Sequence, residues 1–361
     1  VFAGAKSGVF ISRRGIELEG SAYSDERYGI SQIKDIEIEA DDAKVEIKPS
    51  QDDTFGYSVT YEDTHSTPQV TVDNGKIRIE EKMIKFAVIG DPIAHSLSPA
   101  MQNAGIKALA LDAEYFAEHV RRDDLKEFTE QARRGLAGFN ITVPHKNAII
   151  PFLDHISKEA QVAGSVNTVT VKSGRLYGDT TDGYGLAQAL KEAFQFNVRG
   201  GRIAFIGCGG AAHAAAAYFA SQGARTLHLI NRTVAKADEL AEKLRTAYGT
   251  DARTCAIDDH ARISEFLNTS DVVIQCTSLG LKPDDPAPID LSLLPQSIKV
   301  YDTIYKKTPI VRECERRGIP FANGLAMLLH QGARSLELWT GRPAPVEIMR
   351  AALNKAYAEK Q

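Results

Sequence analysis

Three glycines, Gly207, Gly209 and Gly210, interrupt a chain that otherwise alternates apolar runs with helical patterns. Residues 203–207 form a short apolar run with the pattern of a buried parallel strand. The glycines follow at once, and an alanine-rich helical stretch begins at Ala211. Strand, glycine turn and helix is the arrangement that sets a pyrophosphate on the free amides of a helix N-terminus. Gly207 permits the tight turn, and Gly209 lets the backbone approach the phosphates without a Cβ in the way. Ala212 stands in the third glycine position and is small enough for close helix packing. A second apolar strand at residues 226–230 completes the βαβ unit and runs into Asn231-Arg232-Thr233, with Lys236 one helical turn further on. A carboxylate at the end of that strand would accept from a ribose 2′-hydroxyl. A guanidinium there pairs instead with a 2′-phosphate. Asp238 lies too far along the helix to take the carboxylate's place. The pattern therefore favours NADP over NAD.

Hydride exchange between an alcohol and a nicotinamide needs a group that moves the hydroxyl proton. Lys146 and Asp182 are the strongest candidates. Each follows polar, strand-terminal residues on a loop, where active sites of α/β folds concentrate. A lysine beside a carboxylate can act as the acid/base pair. Asn140 and Thr142 alternate with Phe139, Ile141 and Val143, so a strand would turn both polar side chains to one face, toward the same cleft as Lys146. His95 and His145 are weaker candidates, because no carboxylate accompanies them in sequence.

These residues require elements to carry them, and from Met83 onward the pattern is βα. Strands are expected at 84–90, 113–119 and 138–143. Helices are expected from a Ser98 N-cap with Pro99 at the first position to about Leu109, and over 123–134. A hairpin of 165–171 with 174–178 leads into Asp179-Thr-Thr-Asp-Gly183, where a helix begins and continues to about Phe194. After the glycine turn come strands at 271–276 and 299–301, then helices over 325–339 and from Val346 onward. The fold class is α/β: a substrate-binding domain (83–182 with 323–361) and a Rossmann-like NADP-binding domain (183–322), preceded by a small all-β module (1–82).

Residues 1–82 read differently. Period-two alternation at 36–39, 44–48, 57–61, 69–72 and 76–80 is separated by turn signals at Asp41-Asp42, Pro49-Ser50 and Asp73-Asn74-Gly75. In its alternation and its Asp-Asn-Gly turn this segment resembles the repetitive β segments of bacterial adhesin-type domains. Met83 opens its strand as a natural N-terminus would, so the first 82 residues read as an appended module or a fusion. The chain starts with neither an initiator Met nor a signal-peptide layout, as a truncated or processed end would.

The 361 residues are 43% hydrophobic and 25% charged, with a formal net charge of -4. That charge and the absence of a long Lys/Arg block give no case for nucleic acid. No run reaches the ~18 apolar residues of a membrane span. Cys208, Cys255, Cys276 and Cys314 are widely spaced, which suits a reducing, cytoplasmic compartment and carries no metal signature.

From Met83 to the C-terminus, about three-quarters of the chain, the sequence resembles the shikimate dehydrogenases. The matching motifs, in order, are GDPIAHSLSP (90–99), NITVPHK (140–146), GSVNT (164–168), GDTTDG (178–183), the 207–210 glycine turn, NRT (231–233), DTIY (302–305) and GLAMLLHQ (324–331). The resemblance implies that Lys146 and Asp182 are the catalytic pair. It also implies that Ser96, Ser98, Asn140, Thr142, Asn167, Tyr305 and Gln331 hold the carboxylate and hydroxyls of the substrate, none of them an arginine. It implies pyrophosphate contacts from Gly207, Gly209, Gly210 and Ala211, and 2′-phosphate contacts from Asn231, Arg232, Thr233 and Lys236. Thr277, Gly324 and Met327 would lie beside the nicotinamide. The expected activity is NADPH-dependent reduction of 3-dehydroshikimate to shikimate by a monomer or homodimer. Alternatives are a quinate/shikimate dehydrogenase using NAD, and a catalytically idle ligand-binding protein whose working part is the β module.

Overall fold

The computed structural model describes residues 83–360 and, within the first 82, seven strands: β1 (Gly8–Ser12), β2 (Gly15–Glu19), β3 (Asp35–Glu39), β4 (Ala43–Pro49), β5 (Phe55–Tyr61), β6 (Thr67–Asp73) and β7 (Lys76–Lys82). β1 pairs with β2 and β4 with β5, both antiparallel. β7 lies between a parallel β3 and an antiparallel β6, with Asp73 opposite Lys76. The expected turns at 41–42 and 74–75, and the adhesin-type likeness of the segment, lie outside the described residues.

The first α/β unit is built on β8 (Ile84–Gly90), β9 (Ala113–His119), β10 (Gly138–Ile141), β11 (His155–Ile156), β12 (Thr168–Lys172) and β13 (Arg175–Asp179), in the order β11-β13-β12-β10-β8-β9. β8 runs parallel to both β9 and β10, and the β12–β13 hairpin adds antiparallel to β10. Period-two alternation sorts the side chains of β8. Ala87 and Ile89 pack toward α2 (Leu125–Gly135), while Phe86 and Val88 pack toward α1 (Ser98–Ala108), α9 (Leu325–Thr340) and α10 (Val346–Ala358). β10 obeys the same rule, with Phe139 and Ile141 in the α2-side core and Asn140 between them facing α9. Phe139 is fully buried and meets Phe128 edge-on at 5.1 Å. Phe139→Ala is expected to lower the unfolding free energy by about 3–5 kcal/mol, read from denaturant midpoints.

The second unit is an all-parallel sheet in the order β16-β15-β14-β17-β18-β19. Its strands are β14 (Arg202–Ile206), β15 (Thr226–Asn231), β16 (Asp251–Ala256), β17 (Val272–Gln275), β18 (Lys299–Asp302) and β19 (Phe321–Ala322). In chain order this is 3-2-1-4-5-6, the doubly wound arrangement whose crevice opens between the first and fourth strands, here β14 and β17. Ile203 and Phe205 bury against α4 (Asp182–Phe194), α5 (Gly210–Ser221) and α6 (Val234–Tyr248). Ala204 and Ile206 bury against α7 (His260–Asn268) and α8 (Pro309–Arg317). Both faces are covered, which is why these strands read as continuous apolar runs.

Helix contacts join the units. α3 (Lys158–Ala163) from the first packs on α5, and α4 packs between α5 and α9. Gly183 and Gly185 make the α4 contacts possible. A Cβ at Gly183 would lie 2.3 Å from the Tyr218 Cβ, and one at Gly185 would lie 2.7 Å from the Gln331 amide nitrogen. Among the described residues no helix is long and apolar enough to cross a membrane, and no group of three or more His, Cys, Asp or Glu side chains gathers as a metal site.

Among the boundaries that differ from expectation, two bear on the cleft, the start of α1 and the end of β10. α1 is capped at Leu97 rather than Ser98, and the cap makes no side-chain hydrogen bond. Ser98 instead stands first in the helix, and its N–H donates to the Ser96 Oγ at 3.2 Å. β10 ends at Ile141, because the chain turns there: His145 N–H donates to Thr142 O at 2.9 Å.

Candidate active site

Lys146 sits on the turn after β10, and three contacts fix that turn. Its own carbonyl accepts from Val166 N–H at 2.8 Å, and the His145 carbonyl accepts from Ile149 N–H at 3.0 Å. The His145 ring is fully buried, with Nε2 2.6 Å from the Val120 carbonyl. That bond makes Nε2 the protonated nitrogen and leaves His145 a core residue of the turn, turned away from the cleft. The Lys146 ammonium reaches across to Asp182, where Nζ and Oδ2 are 2.5 Å apart. Asp182 begins α4, whose N-terminus favours a negative charge. Its side chain is only 6% exposed, against 17% for Lys146.

Asn167 orients that carboxylate. Its Nδ2 donates to Asp182 Oδ1 at 2.9 Å and faces Gln331 Oε1 at 3.2 Å, while its Oδ1 accepts from Thr181 N–H at 2.8 Å. The last bond determines which end of the amide is the donor. Asn140 is held as tightly. Tyr115 OH donates to its Oδ1 at 2.8 Å, and its Nδ2 donates to Ser335 Oγ at 2.9 Å and Asn167 O at 3.0 Å. Burial pushes the Tyr115 phenol well above its ordinary value, with the Ser98 hydroxyl hydrogen-bonded to it. The phenol therefore stays a donor at neutral pH. Thr168, Thr181 and Ser335 complete this polar floor and were not singled out from the sequence; Ser335 follows Gln331 by one helical turn on α9, the one signal that marks it.

Lys146, Asp182, Asn167, Asn140 and Gln331 open together onto one cleft of about 410 Å³ between the two units. Ser96, Ser98, Thr142 and Tyr305 line it as well, and Ala211, Gly324 and Met327 line its side toward the second sheet. His95, the weaker acid/base candidate, lines it too, as do Thr303 and Leu328, which lie beyond the expected set. Gly324 admits no side chain, since a Cβ would lie 2.0 Å from Thr303 O.

The remaining expected residues sit along the carboxyl edge of the second sheet. Gly207 has φ +94°, and a Cβ on it would strike Thr277 Cγ2 at 2.6 Å, so glycine is required at this turn. A Cβ on Gly209 would meet nothing nearer than Cys276 O at 4.0 Å. No side chain caps the first turn of α5, whose amides are left for an outside acceptor. Asn231 ties the turn to β15: its Oδ1 accepts from Cys208 N–H at 3.1 Å and its Nδ2 donates to Thr233 O at 2.8 Å. The Arg232 and Lys236 side chains are exposed and make no ion pair or hydrogen bond among the described residues. Asp238 is engaged elsewhere, accepting from the Thr254 hydroxyl at 2.6 Å. A glycine cradle, an uncapped helix start and two free cations fit a phosphorylated dinucleotide. Thr277 is occupied in its own turn, its N–H donating to Gln275 Oε1 and its Oγ1 accepting from Leu279 N–H.

Asp302 ends β18 just before Thr303 and Tyr305. Burial pushes its carboxyl up to about 6, against hydrogen bonds from the Thr308 hydroxyl and Ile304 N–H. Because the folded value lies above the unfolded 3.8, the folded state holds the extra proton between about pH 4 and 6, and this group's contribution to stability falls as pH rises through that window. The loss is on the order of 2–3 kcal/mol. Asp302→Asn is therefore expected to gain Tm relative to the parent as pH rises from about 4 to 6. A Tm difference that stays constant with pH would reject the shift.

Three family profiles match the chain: "Shikimate dehydrogenase substrate binding domain" over residues 88–169, "Shikimate / quinate 5-dehydrogenase" over 188–281 and "Shikimate 5'-dehydrogenase C-terminal domain" over 324–353. The shikimate dehydrogenase (NADP(+)) of Desulfitobacterium hafniense is 43% identical over 280 residues, covering 76% of this chain and 100% of that protein. Among solved structures, shikimate 5-dehydrogenase from Listeria monocytogenes in complex with shikimate and NAD aligns with a TM-score of 0.71 at 33% identity, covering 75% of this chain and 96% of that one. The Thermus thermophilus enzyme in complex with NADP(H) and shikimate aligns with a TM-score of 0.68 at 33% identity, covering 76% and 100%. In sequence, in order of motifs and in fold, the chain from the start of β8 onward belongs to the shikimate dehydrogenase family.

Proposed function

We propose that the chain is an NADP-dependent shikimate dehydrogenase that interconverts 3-dehydroshikimate and shikimate, with residues 83–182 and 323–361 binding the substrate and 183–322 the dinucleotide. The observation that carries this reading is the Lys146–Asp182 pair at the floor of a polar cleft whose far side leads to the glycine turn. NADPH, when bound, supplies the hydride. Every other requirement falls to side chains of this chain. The Lys146 ammonium donates a proton to the carbonyl oxygen as it gains negative charge, and in the reverse direction the neutral amine accepts the hydroxyl proton. Asp182 balances the ammonium and holds it toward the substrate, and Asn167 keeps Asp182 in place. The hydroxyls of Ser96, Ser98 and Tyr305 are suited to the substrate carboxylate. Asn140, Thr142, Asn167 and Gln331 are suited to its ring hydroxyls, with Asn140 and Asn167 held in place by the hydrogen bonds at both ends of their amides. A small polyhydroxy acid offers little apolar surface, so discrimination must come from such polar groups. Gly207, Gly209, Gly210 and Ala211 would hold the pyrophosphate, with Asn231, Arg232, Thr233 and Lys236 at the 2′-phosphate and Thr277, Gly324 and Met327 beside the nicotinamide. The four free thiols suit a reducing, cytoplasmic compartment, and the chain is expected to act as a monomer or homodimer. The deciding assay is absorbance at the nicotinamide band with shikimate and NADP or NAD. Preferential NADP reduction supports the reading. Equal turnover with NAD or with quinate moves it to the broader quinate/shikimate class, and no turnover with any of these rejects it.

A further inference from the structure

A second cavity of about 370 Å³ adjoins the catalytic cleft and shares His95, Leu97, Thr303 and Tyr305 with it. Its polar chemistry is one-sided. Among the described residues Lys306, Lys360 and His95 line it and no Asp or Glu does, and Leu97 and Leu281 supply apolar wall. Three hydrogen bonds from α10 and the residues just after it build the site. Lys360 Nζ donates to the carbonyls of His95 at 3.1 Å and Ser96 at 3.4 Å, which fixes an ammonium across the loop bearing Ser96. Tyr357 OH donates to Tyr305 O at 2.5 Å, and the two rings meet edge-on at 5.7 Å. Lys306 is exposed and makes no hydrogen bond or ion pair among the described residues, whereas its neighbour Lys307 is paired with Glu315 at 2.6 Å. Unpaired cations beside low-dielectric walls focus a positive field at the mouth of a cleft.

We propose that Lys306, Lys360 and His95 form an anion-docking subsite at the rim of the cleft, taking the carboxylate of the incoming substrate before it passes to Ser96, Ser98 and Tyr305. The inference rests on the proposed function for the identity of that carboxylate. The two positions are connected: Lys360 touches the backbone of Ser96, and Tyr305 lines both cavities. An exposed cation acts here on encounter and on weak first binding rather than on the chemical step.

The test compares Lys306→Gln with the parent in steady-state kinetics across a salt series, with Lys307→Gln as a charge deletion off the rim. At low salt, Lys306→Gln is expected to lower kcat/KM for shikimate about threefold to tenfold, leaving kcat and the KM for NADP unchanged. The salt dependence of kcat/KM is expected to flatten in that variant and not in Lys307→Gln. Equilibrium binding of shikimate, followed by calorimetry over the same salt series, makes the same comparison without turnover. Parent-like kcat/KM and shikimate affinity in Lys306→Gln at every salt concentration would overturn the subsite while leaving the enzymatic reading intact. A parent that binds shikimate with the expected salt dependence but turns over no NADP would instead overturn the enzymatic reading alone.

Discussion

Lys146→Ala is expected to lower kcat by about 10²–10⁴-fold, the usual worth of a positioned general acid or base. The geometry leaves no substitute. Lys146 is the cationic side chain within hydrogen-bond reach of Asp182, and His145, its neighbour, is buried and committed to the Val120 carbonyl. The loss should appear in kcat and in kcat/KM for shikimate, with the KM for NADP close to the parent's, because the glycine turn lies on the other unit. The variant should also be less stable. Removing the ammonium leaves the largely buried Asp182 carboxylate with Asn167 as its remaining side-chain partner of opposite polarity, and an uncompensated buried charge is costly. Calorimetric NADP binding separates the two effects: a folded variant that binds NADP but fails to turn over supports the proton-transfer role. A fall in kcat smaller than tenfold in such a variant would reject it.

The second large effect is expected at the cofactor. Arg232→Asp should raise the KM for NADP by about 10²-fold and narrow or invert the preference over NAD. It replaces a charge-assisted partner of the 2′-phosphate with a repelling carboxylate and places that carboxylate where a ribose 2′-hydroxyl can donate to it. Arg232 is free to act, its side chain being exposed and unpaired among the described residues, and Asp238 cannot assume the carboxylate role while Thr254 holds it. Since the pairing is at the surface, the NADP penalty should shrink at high salt. An unchanged ratio of kcat/KM for NADP over NAD would show that the 2′-phosphate is held elsewhere. Together with the Lys146 variant this forms a cross-check, because each is expected to leave the other ligand's KM nearly untouched.

Much of this architecture was legible in the chain, for identifiable reasons. β14 and its glycine turn were readable because a strand buried on both faces must be continuously apolar, and because Gly207 has no substitute at φ +94°. The alternation of Phe139, Asn140 and Ile141 was readable because a strand turns successive side chains to opposite faces. Less regular elements were not. β16 carries mixed polar sequence and α3 is only six residues long, so neither has a period that local pattern can resolve. α7 and α8 do space apolar residues helically, Ile263, Phe266 and Leu267 in one and Ile310, Val311 and Cys314 in the other, but over only nine residues each. Ser98 looked like an N-cap by residue type, yet the helix starts one residue earlier and gives Ser98 to Tyr115 and the cleft.

By itself, the sequence determined the parts: a dinucleotide turn with cations in place of a ribose-binding carboxylate, polar residues on one face of β10, and a lysine and an aspartate at the ends of strands. Those follow from local rules, since propensity, period and turn chemistry act over a few residues. Only the tertiary structure decided that Lys146 and Asp182, 36 positions apart, form one ion pair, and that Asn167, which holds Asp182, also meets Gln331, 164 positions away. The same holds for Lys360, which reaches the Ser96 loop from the opposite end of the enzyme unit. Such contacts depend on how α4, α9 and α10 pack over the first sheet, and packing is set by complementary surfaces distant in the chain, which no local pattern encodes.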